Sequence, residues 1–403
     1  MDELTRDDQA MLECAAAQPM LAHTETWSAI NSGSRNLAGL ATMAGLLADA
    51  CAALPGEVEL LDAAPVDAVD GDGRTRPIAH GCNLLLSVRP QAPVQILLTG
   101  HMDTVFAPDH PFQALRWMDD GTLNGPGVAD MKGGIAVALA ALTAVERHPA
   151  AARLGYQLLI NSDEEVGSAG SAPLIAACAQ GKAAALTYEP AALPDGTLAG
   201  ARPGSGNFSI VVTGRAAHAG RNPQDGRNAV VAAADLALRL AKAAGPRLSV
   251  NPARIEGGGP NNVVPDHAVL RVNMRPATPE DQARARSHLD AAIAMVAAEH
   301  DVAIHCHGGF GRPPKPLTPD AERLFGLVRD CGAALGQAID WRPSGGVCDG
   351  NNIAACGVPV VDTMGVRGGA IHSGEEYLIV ESLAERAMLS ALVIARIAER
   401  GRP

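Results

Sequence analysis

Aromatic residues are scarce: Phe, Tyr and Trp together make up 3% of 403 residues. Few rings are left on which bases could stack, which argues against a single-stranded nucleic-acid platform. Positive charge is also short. Lys and Arg number 32 against 44 Asp and Glu, a formal net charge of −12 at pH 7. Such a chain repels phosphate backbones, so no nucleic-acid partner is expected. Paired cysteines are missing too. Cys14, Cys51, Cys82, Cys178, Cys306, Cys331, Cys348 and Cys356 form no C-x-x-C motif and no disulfide framework. Free thiols in a reducing cytoplasm are the expectation. The N-terminus, Met1-Asp2-Glu3-Leu4-Thr5-Arg6-Asp7-Asp8, is acidic and lacks an apolar h-region, so no signal peptide is expected. The longest nearly apolar run, Ile135 to Val145, is too short to span a bilayer, and no membrane partner is expected.

What remains is an ordinary soluble composition, 47% apolar and 19% charged, in a chain long enough for two or three domains. Small residues abound, which suits close packing of helices on a sheet. Residues 5–22 and 34–54 carry apolar residues at helical spacing, with Asn36 or Ser34 as the cap of the second helix. Residues 57–70 and 80–90 read as strands around the polar turn Asp70-Gly71-Asp72-Gly73. The apolar run Val94 to Leu98 reads as a buried parallel strand ending in Gly100-His101-Met102-Asp103. After the turn Asp119-Asp120-Gly121, a glycine-rich segment from Leu123 to Gly134 opens into a helix, Ile135 to Arg147. A second buried strand, Tyr156 to Ile160, ends in Asp163-Glu164-Glu165, and a helix follows to Ala179. A third, Ala183 to Thr187, ends in Tyr188-Glu189-Pro190. Strand, polar loop and helix recur three times, the pattern of an α/β sheet with its functional loops along one edge.

The rhythm changes near residue 200. Phe208 to Thr213, Val269 to Arg275 and Val302 to His307 alternate as half-exposed strands, with helices at Asn228 to Ala244 and Pro279 to Glu299. This predicts a small α+β domain with one sheet face covered. The proline-rich stretch Gly308 to Pro319 leads out of it. An α/β pattern then returns: a helix over 319–335, a strand over 358–361, a loop ending in His372 and a helix from about 380. The small domain is therefore expected as an insertion, with catalytic parts at 1–201 and 313–403 around an inserted 202–312.

The polar residues at the strand ends are His101, Asp103, Asp130, Glu164, Glu165, Glu189 and, much later, His372. Singly, each has an ordinary meaning. His101 beside Asp103 fits a buried structural histidine, Asp130 a helix cap, and Glu164-Glu165 a solvated helix start. Together, imidazoles and carboxylates without thiolate suit a pair of divalent metals, zinc above all, with cobalt or manganese as the other fitting ions. A carboxylate can bridge two metals, and water between them loses its proton near neutral pH to a further carboxylate.

The segments Gly100-His101-Met102-Asp103, Gly127-Val128-Ala129-Asp130-Met131-Lys132-Gly133-Gly134, Asp163 to Ser168, Glu189-Pro190, His218-Ala219-Gly220 and Ile371 to Glu375 follow one another along the chain. In that order they resemble the cocatalytic-zinc metallopeptidases, the family of glutamate carboxypeptidase of the G type, acetylornithine deacetylase, succinyl-diaminopimelate desuccinylase and aminoacylase. The resemblance implies a zinc-peptidase-like catalytic domain, a mixed central sheet flanked by helices, interrupted by a ferredoxin-like dimerisation lid. It implies that His101 and Glu189 bind one metal, that Glu165 and His372 bind the other, and that Asp130 bridges them. Asp103 would hold His101 and fix its tautomer. Glu164 would be the general base. His218 would reach the partner subunit's active site and stabilise the oxyanion. Asn262 and Arg275 would contact substrate, the arginine gripping a free carboxylate.

The expected activity is hydrolysis of an amide or peptide bond beside a free carboxylate by a homodimer, foremost as a glutamate-carboxypeptidase-like exopeptidase. An N-acyl-amino-acid deacylase uses the same chemistry. A non-catalytic binding protein would lack a ligand or the base, and none is missing. A two-metal phosphohydrolase would need a basic phosphate cradle near the ligands, which the sequence does not offer. His305-Cys306-His307 reads as an exposed strand rather than a metal pair. Cys348, in Ser344 to Asn352, stands where the family has a small residue and is expected to line the substrate pocket.

Overall fold

The computed structural model describes residues 4–119 and 121–403. Met1 to Glu3 of the acidic N-terminus and Asp120 of the Asp119–Gly121 turn lie outside the described residues. The first expected helix is two helices, Arg6–Ala16 and Met20–Ser28, because Pro19 cannot continue the first. Thr5 caps the first in a reciprocal capping box with Asp8. Asn36, not Ser34, caps Leu37–Cys51 by accepting the Gly39 N–H.

A six-stranded mixed sheet organises the chain, in the order Glu57–Leu61, Asn83–Val88, Leu154–Asn161, Val94–His101, Ala184–Thr187 and Val360–Val361. The first two pairings are antiparallel and the other three parallel. Successive side chains of Val94–His101 point to opposite faces. Ile96 and Leu98 join one apolar core, built with the helices Leu37–Cys51, Gly133–Val145 and Glu381–Arg400. Leu97 joins the other, with Ile175 and Ile353. Both faces are covered, which is why the strand reads as an unbroken apolar run. The expected strand over 57–70 is divided at Pro65. Its second half, Val66–Val69, leaves the sheet to pair with Thr75–Ile78 as a hairpin around the Asp70–Gly73 turn.

The stretch Val128–Val145 is apolar enough to cross a membrane by composition, yet 94% of it is buried inside the protein. It is not one helix either. Asp130 and Met131 are non-helical, and the regular helix begins at Gly133. Gly134 is required by packing: a Cβ there would stand 2.0 Å from Tyr188 O, the residue before Glu189.

Residues 205–312 build a separate four-stranded antiparallel sheet, in the order Leu248–Gly257, His267–Pro276, Ser205–Thr213 and Ala303–Arg312. With the helices Ala229–Ala241 and Pro279–His300 the chain order is β-α-β-β-α-β. Its own apolar cluster includes Phe208, Ile210, Leu236, Leu270 and Leu289. The strand Leu248–Gly257 was not expected from sequence, since its largely exposed edge carries Asn251, Pro252 and Arg254 instead of an apolar alternation. Arg202 and Lys315 exchange backbone hydrogen bonds of 2.9 Å in both directions, joining the two crossings between the sheets.

Candidate active site

The parallel strands end together, and their loops form one crevice. The Nδ1 of His101 lies 3.0 Å from Asp103 O, which turns Nε2 outward into the crevice. The Asp103 carboxylate is 3.4 Å from His101 Nδ1. It has further partners: it accepts the N–H groups of Glu164 at 3.1 Å and Glu165 at 3.2 Å, and the Ser34 hydroxyl at 2.7 Å. Asp103 thus ties the histidine loop to the acidic loop.

Asp130 does not cap the helix. It sits before it, on a cis peptide to Met131, after Gly127 at φ +73°. Glu376 accepts the N–H groups of both Ala129 and Asp130 at 3.0 Å and so fixes this loop. The Lys132 ammonium, fully buried, holds Ile30 O at 2.9 Å. His372 stands in a turn between Gly368–Gly369 and Tyr377–Ile379, the latter paired to Thr122–Asn124. Its φ is +62° and its ring is half exposed.

These loops place Asp130 between two imidazoles. His101 Nε2 is 3.1 Å from Asp130 Oδ1, and His372 Nε2 is 3.2 Å from Oδ2. Glu189 Oε2 flanks His101 at 3.7 Å, and Glu165 Oε2 flanks His372 at 3.1 Å. Donor atoms of His101, Asp130 and Glu165 lie within 4.8 Å of one another, as do those of His101, Glu164 and Glu189. The Glu164 carboxylate is gripped by Arg312, whose Nη2 is 2.6 Å from Oε1. Arg312 also binds Glu164 O at 2.9 Å, Ser168 Oγ at 3.0 Å and Asp349 Oδ1 at 3.0 Å.

Four carboxylates share a nearly dry space, and the electrostatics follow. Burial pushes Glu164 well above the usual carboxylate range, Glu165 upward and Glu189 up to about 7. Burial acts on Asp130 in the same sense, but hydrogen bonds to His101 and His372 hold it below its ordinary value. Burial opposes charge on His101; Glu189, Asp103 and Asp130 outweigh it and raise the imidazole well above its usual value. Hydrogen bonds to Asp130 and Glu165 raise His372 to about 11. The negative field that raises these rings also attracts cations. Glu189 Oε1 is buried without a hydrogen-bond partner among the described residues. An all-nitrogen-and-oxygen donor set with a two-sided carboxylate at its centre fits divalent cations, zinc foremost.

A cavity of about 520 Å³ opens beside this cluster. Asp130, Glu164, Glu189 and His372 form its polar wall; Pro190, Ala191, Val347 and Ile371 add apolar surface. Cys348 lines it, as expected, with Sγ 3.4 Å from Asp362 Oδ2. Arg202 lines it as well, held by Asp362 at 2.7 and 3.1 Å. Of the residues expected to contact substrate, Arg275 does not line the cavity; its Nη1 is 3.2 Å from O of Gly345, which lies between the lining residues Ser344 and Gly346. His218 is exposed on a short pairing of 217–218 with 263–264 and Asn262 on the turn just before it, both outside the cavity wall of their own chain.

Sequence reasoning missed Arg312, Glu376, Arg202 and Lys132. Lys132 lies in the glycine-rich segment and Arg312 in the proline-rich stretch, but nothing local marks either as a site residue.

The chain matches the model of peptidase family M20/M25/M40 over residues 97–396. It is 30% identical to carboxypeptidase G2 of Pseudomonas sp. (strain RS-16) over 323 residues, 78% of this chain and 76% of that one. It is 28% identical to a succinyl-diaminopimelate desuccinylase of Psychrobacter arcticus over 327 residues, covering 75% and 78%. A tripeptidase structure from Staphylococcus aureus superposes with a TM-score of 0.73 at 23% identity, covering 94% of this chain and 98% of that one. An M20 metallo-carboxypeptidase from Sulfolobus solfataricus superposes at 0.70 with 14% identity, over 95% and 100%, and both share the fold. The chain belongs to peptidase family M20/M25/M40, a family of metal-dependent hydrolases, and the match spans both His101 and His372.

Proposed function

We propose that this protein is a dinuclear zinc exopeptidase that removes a C-terminal amino acid, cleaving the amide bond next to a free carboxylate. One observation carries the reading: Asp130 presents one oxygen to His101 and the other to His372, with Glu189 and Glu165 on the outer flanks. His101, Asp130 and Glu189 would hold one ion, and His372, Asp130 and Glu165 the other. Bound there, two divalent ions supply Lewis acidity and lower the pKa of water towards neutrality.

Glu164 takes the proton of the attacking water and returns it to the leaving amine. Arg312 holds one carboxylate oxygen, so the proton moves at the other. Asp103 keeps His101 and the Glu164–Glu165 turn in fixed relation. Arg275 recognises the substrate carboxylate, and His218 and Asn262 serve the active site of a second copy in a homodimer formed through residues 202–312. Exposed Val231, Leu238 and Met295 on the helices of that unit support such an interface. Eight free thiols support a cytoplasmic setting.

The resemblance to carboxypeptidase G2 favours the carboxypeptidase. The desuccinylase relative favours an N-acyl-amino-acid deacylase built on the same wall. The test is hydrolysis of dipeptides and N-acyl amino acids by protein with its metal content measured, beside Glu164→Ala. Activity that vanishes in Glu164→Ala supports the metallo-amidohydrolase, and the rank order of substrates chooses between the two readings. Two bound metals with no turnover of any substrate would defeat the proposal.

A further inference from the structure

Behind the active-site loop lies a second concave site. The segment 190–196 has two faces. Pro190, Ala191, Ala192 and Pro194 line the catalytic cavity. On the reverse side Arg367 Nε holds Pro194 O at 3.0 Å and Arg386 Nη2 holds Gly196 O at 2.8 Å. Both arginines line a separate cleft of about 230 Å³, together with Asp195, Gln337, Ala338 and Glu385.

The two arginines differ. Arg367 is neutralised by Glu385, with Nη1 at 2.9 and 3.1 Å from the two carboxylate oxygens. Arg386 projects from the C-terminal helix and is 1% exposed. Its guanidinium pairs with no carboxylate among the described residues, and its Nη1 has no hydrogen-bond partner there. A buried, unpaired guanidinium is costly, and an arginine does not shed its charge at neutral pH. Burial lowers Arg386 only to about 10. Of the two carboxylates in the cleft, Glu385 is taken by Arg367, and exposed Asp195 accepts the Thr197 N–H at 2.9 Å. A planar fork of donors with one arm unused is the recognition element for an oxyanion.

We propose that the cleft around Arg386 binds a small oxyanion, a carboxylate or a phosphate, which completes the guanidinium and braces segment 190–196 from behind. The site stands apart from the metal cluster, so it does not rest on the catalytic reading.

The experiment is calorimetric titration of inorganic phosphate, and separately of acetate, into metal-loaded protein. Wild type is compared with Arg386→Met and Ala338→Glu. Anion binding at the metals is common to all three and cancels in the comparison. Ala338 is exposed at the cleft, so its replacement leaves the core intact while tethering a competing carboxylate there. The expected result is at least ten-fold weaker binding of one or both anions in both variants; the anion affected names the ligand chemistry. Should Arg386→Met fail to fold, Ala338→Glu alone carries the test. Isotherms for both anions that match wild type in every folded variant would overturn the proposal.

Discussion

Arg312 and Glu164 are joined twice: Nη2 of the arginine lies 2.6 Å from Glu164 Oε1 and 2.9 Å from Glu164 O. One guanidinium thereby fixes both the side chain and the backbone of the proposed base. Its other arm, on Asp349 Oδ1 at 3.0 Å, fixes the arginine in turn. Arg312→Ala is expected to lower kcat roughly 10- to 100-fold with KM little changed, since it loosens the proton-transfer geometry. Arg312→Lys should recover part of the loss. Steady-state kinetics at verified metal content check this; a change confined to KM would assign Arg312 to substrate binding instead.

Glu376 holds the Asp130 loop by direct contact from far along the chain. Its Oε1 accepts two consecutive N–H groups, Ala129 and Asp130, each at 3.0 Å. Glu376→Ala frees the loop that aims Asp130 and should weaken divalent-metal affinity about 10- to 100-fold. Glu376→Gln keeps an acceptor oxygen and should fall between. Competition with a chromogenic chelator reads the affinity directly. Unchanged affinity in Glu376→Ala would mean that the loop holds its shape unaided.

Acid stability should depend on Asp8, whose carboxylate receives two Arg396 bonds of 2.9 Å and links the first helix to the last. Burial alone would raise this carboxyl; Arg396 and Thr5 win and hold it at about 2, below its ordinary 3.8. As pH falls, the unfolded chain therefore takes up the proton first. The contribution, about 2 kcal/mol, is complete above the unfolded value and is lost as pH falls through the folded one. Asp8→Asn should unfold at lower denaturant at pH 7, and the gap to wild type should close towards pH 2. A gap independent of pH would refute the ionic origin.

If His218 serves a second copy, inactive His218→Ala and inactive Glu164→Ala should regain activity when mixed under conditions of subunit exchange. Random exchange would restore up to about a quarter of wild-type turnover, since half the dimers are mixed and each has one intact site. Verified exchange without recovery would place His218 in its own chain's chemistry or outside it.

The donor cluster was legible because each member ends a buried strand or a glycine-rich loop, where a polar residue interrupts an apolar pattern. His101, Asp130, Glu165, Glu189 and His372 do converge. Their supports were not legible. Arg312 meets Glu164 across 148 residues, and Glu376 meets Ala129 across 247. A periodicity argument sees only neighbours in sequence. Ser34 illustrates the same limit: it suits a helix cap, but tertiary folding gives its hydroxyl to Asp103. The strand Leu248–Gly257 escaped because an edge strand need not bury alternate residues.

The position of His372 has a consequence for synthesis. A chain growing from its N-terminus presents His101, Asp130, Glu165 and Glu189 early. It then makes the whole 205–312 unit before the turn that carries His372 appears. That turn is seated by pairing Tyr377–Ile379 with Thr122–Asn124 and by laying the final helix on Gly133–Val145. A ribosome-bound nascent chain thus carries four acidic and imidazole donors but not the fifth. The proposed centre is complete only after translation has passed the inserted unit, and a chain truncated there lacks His372.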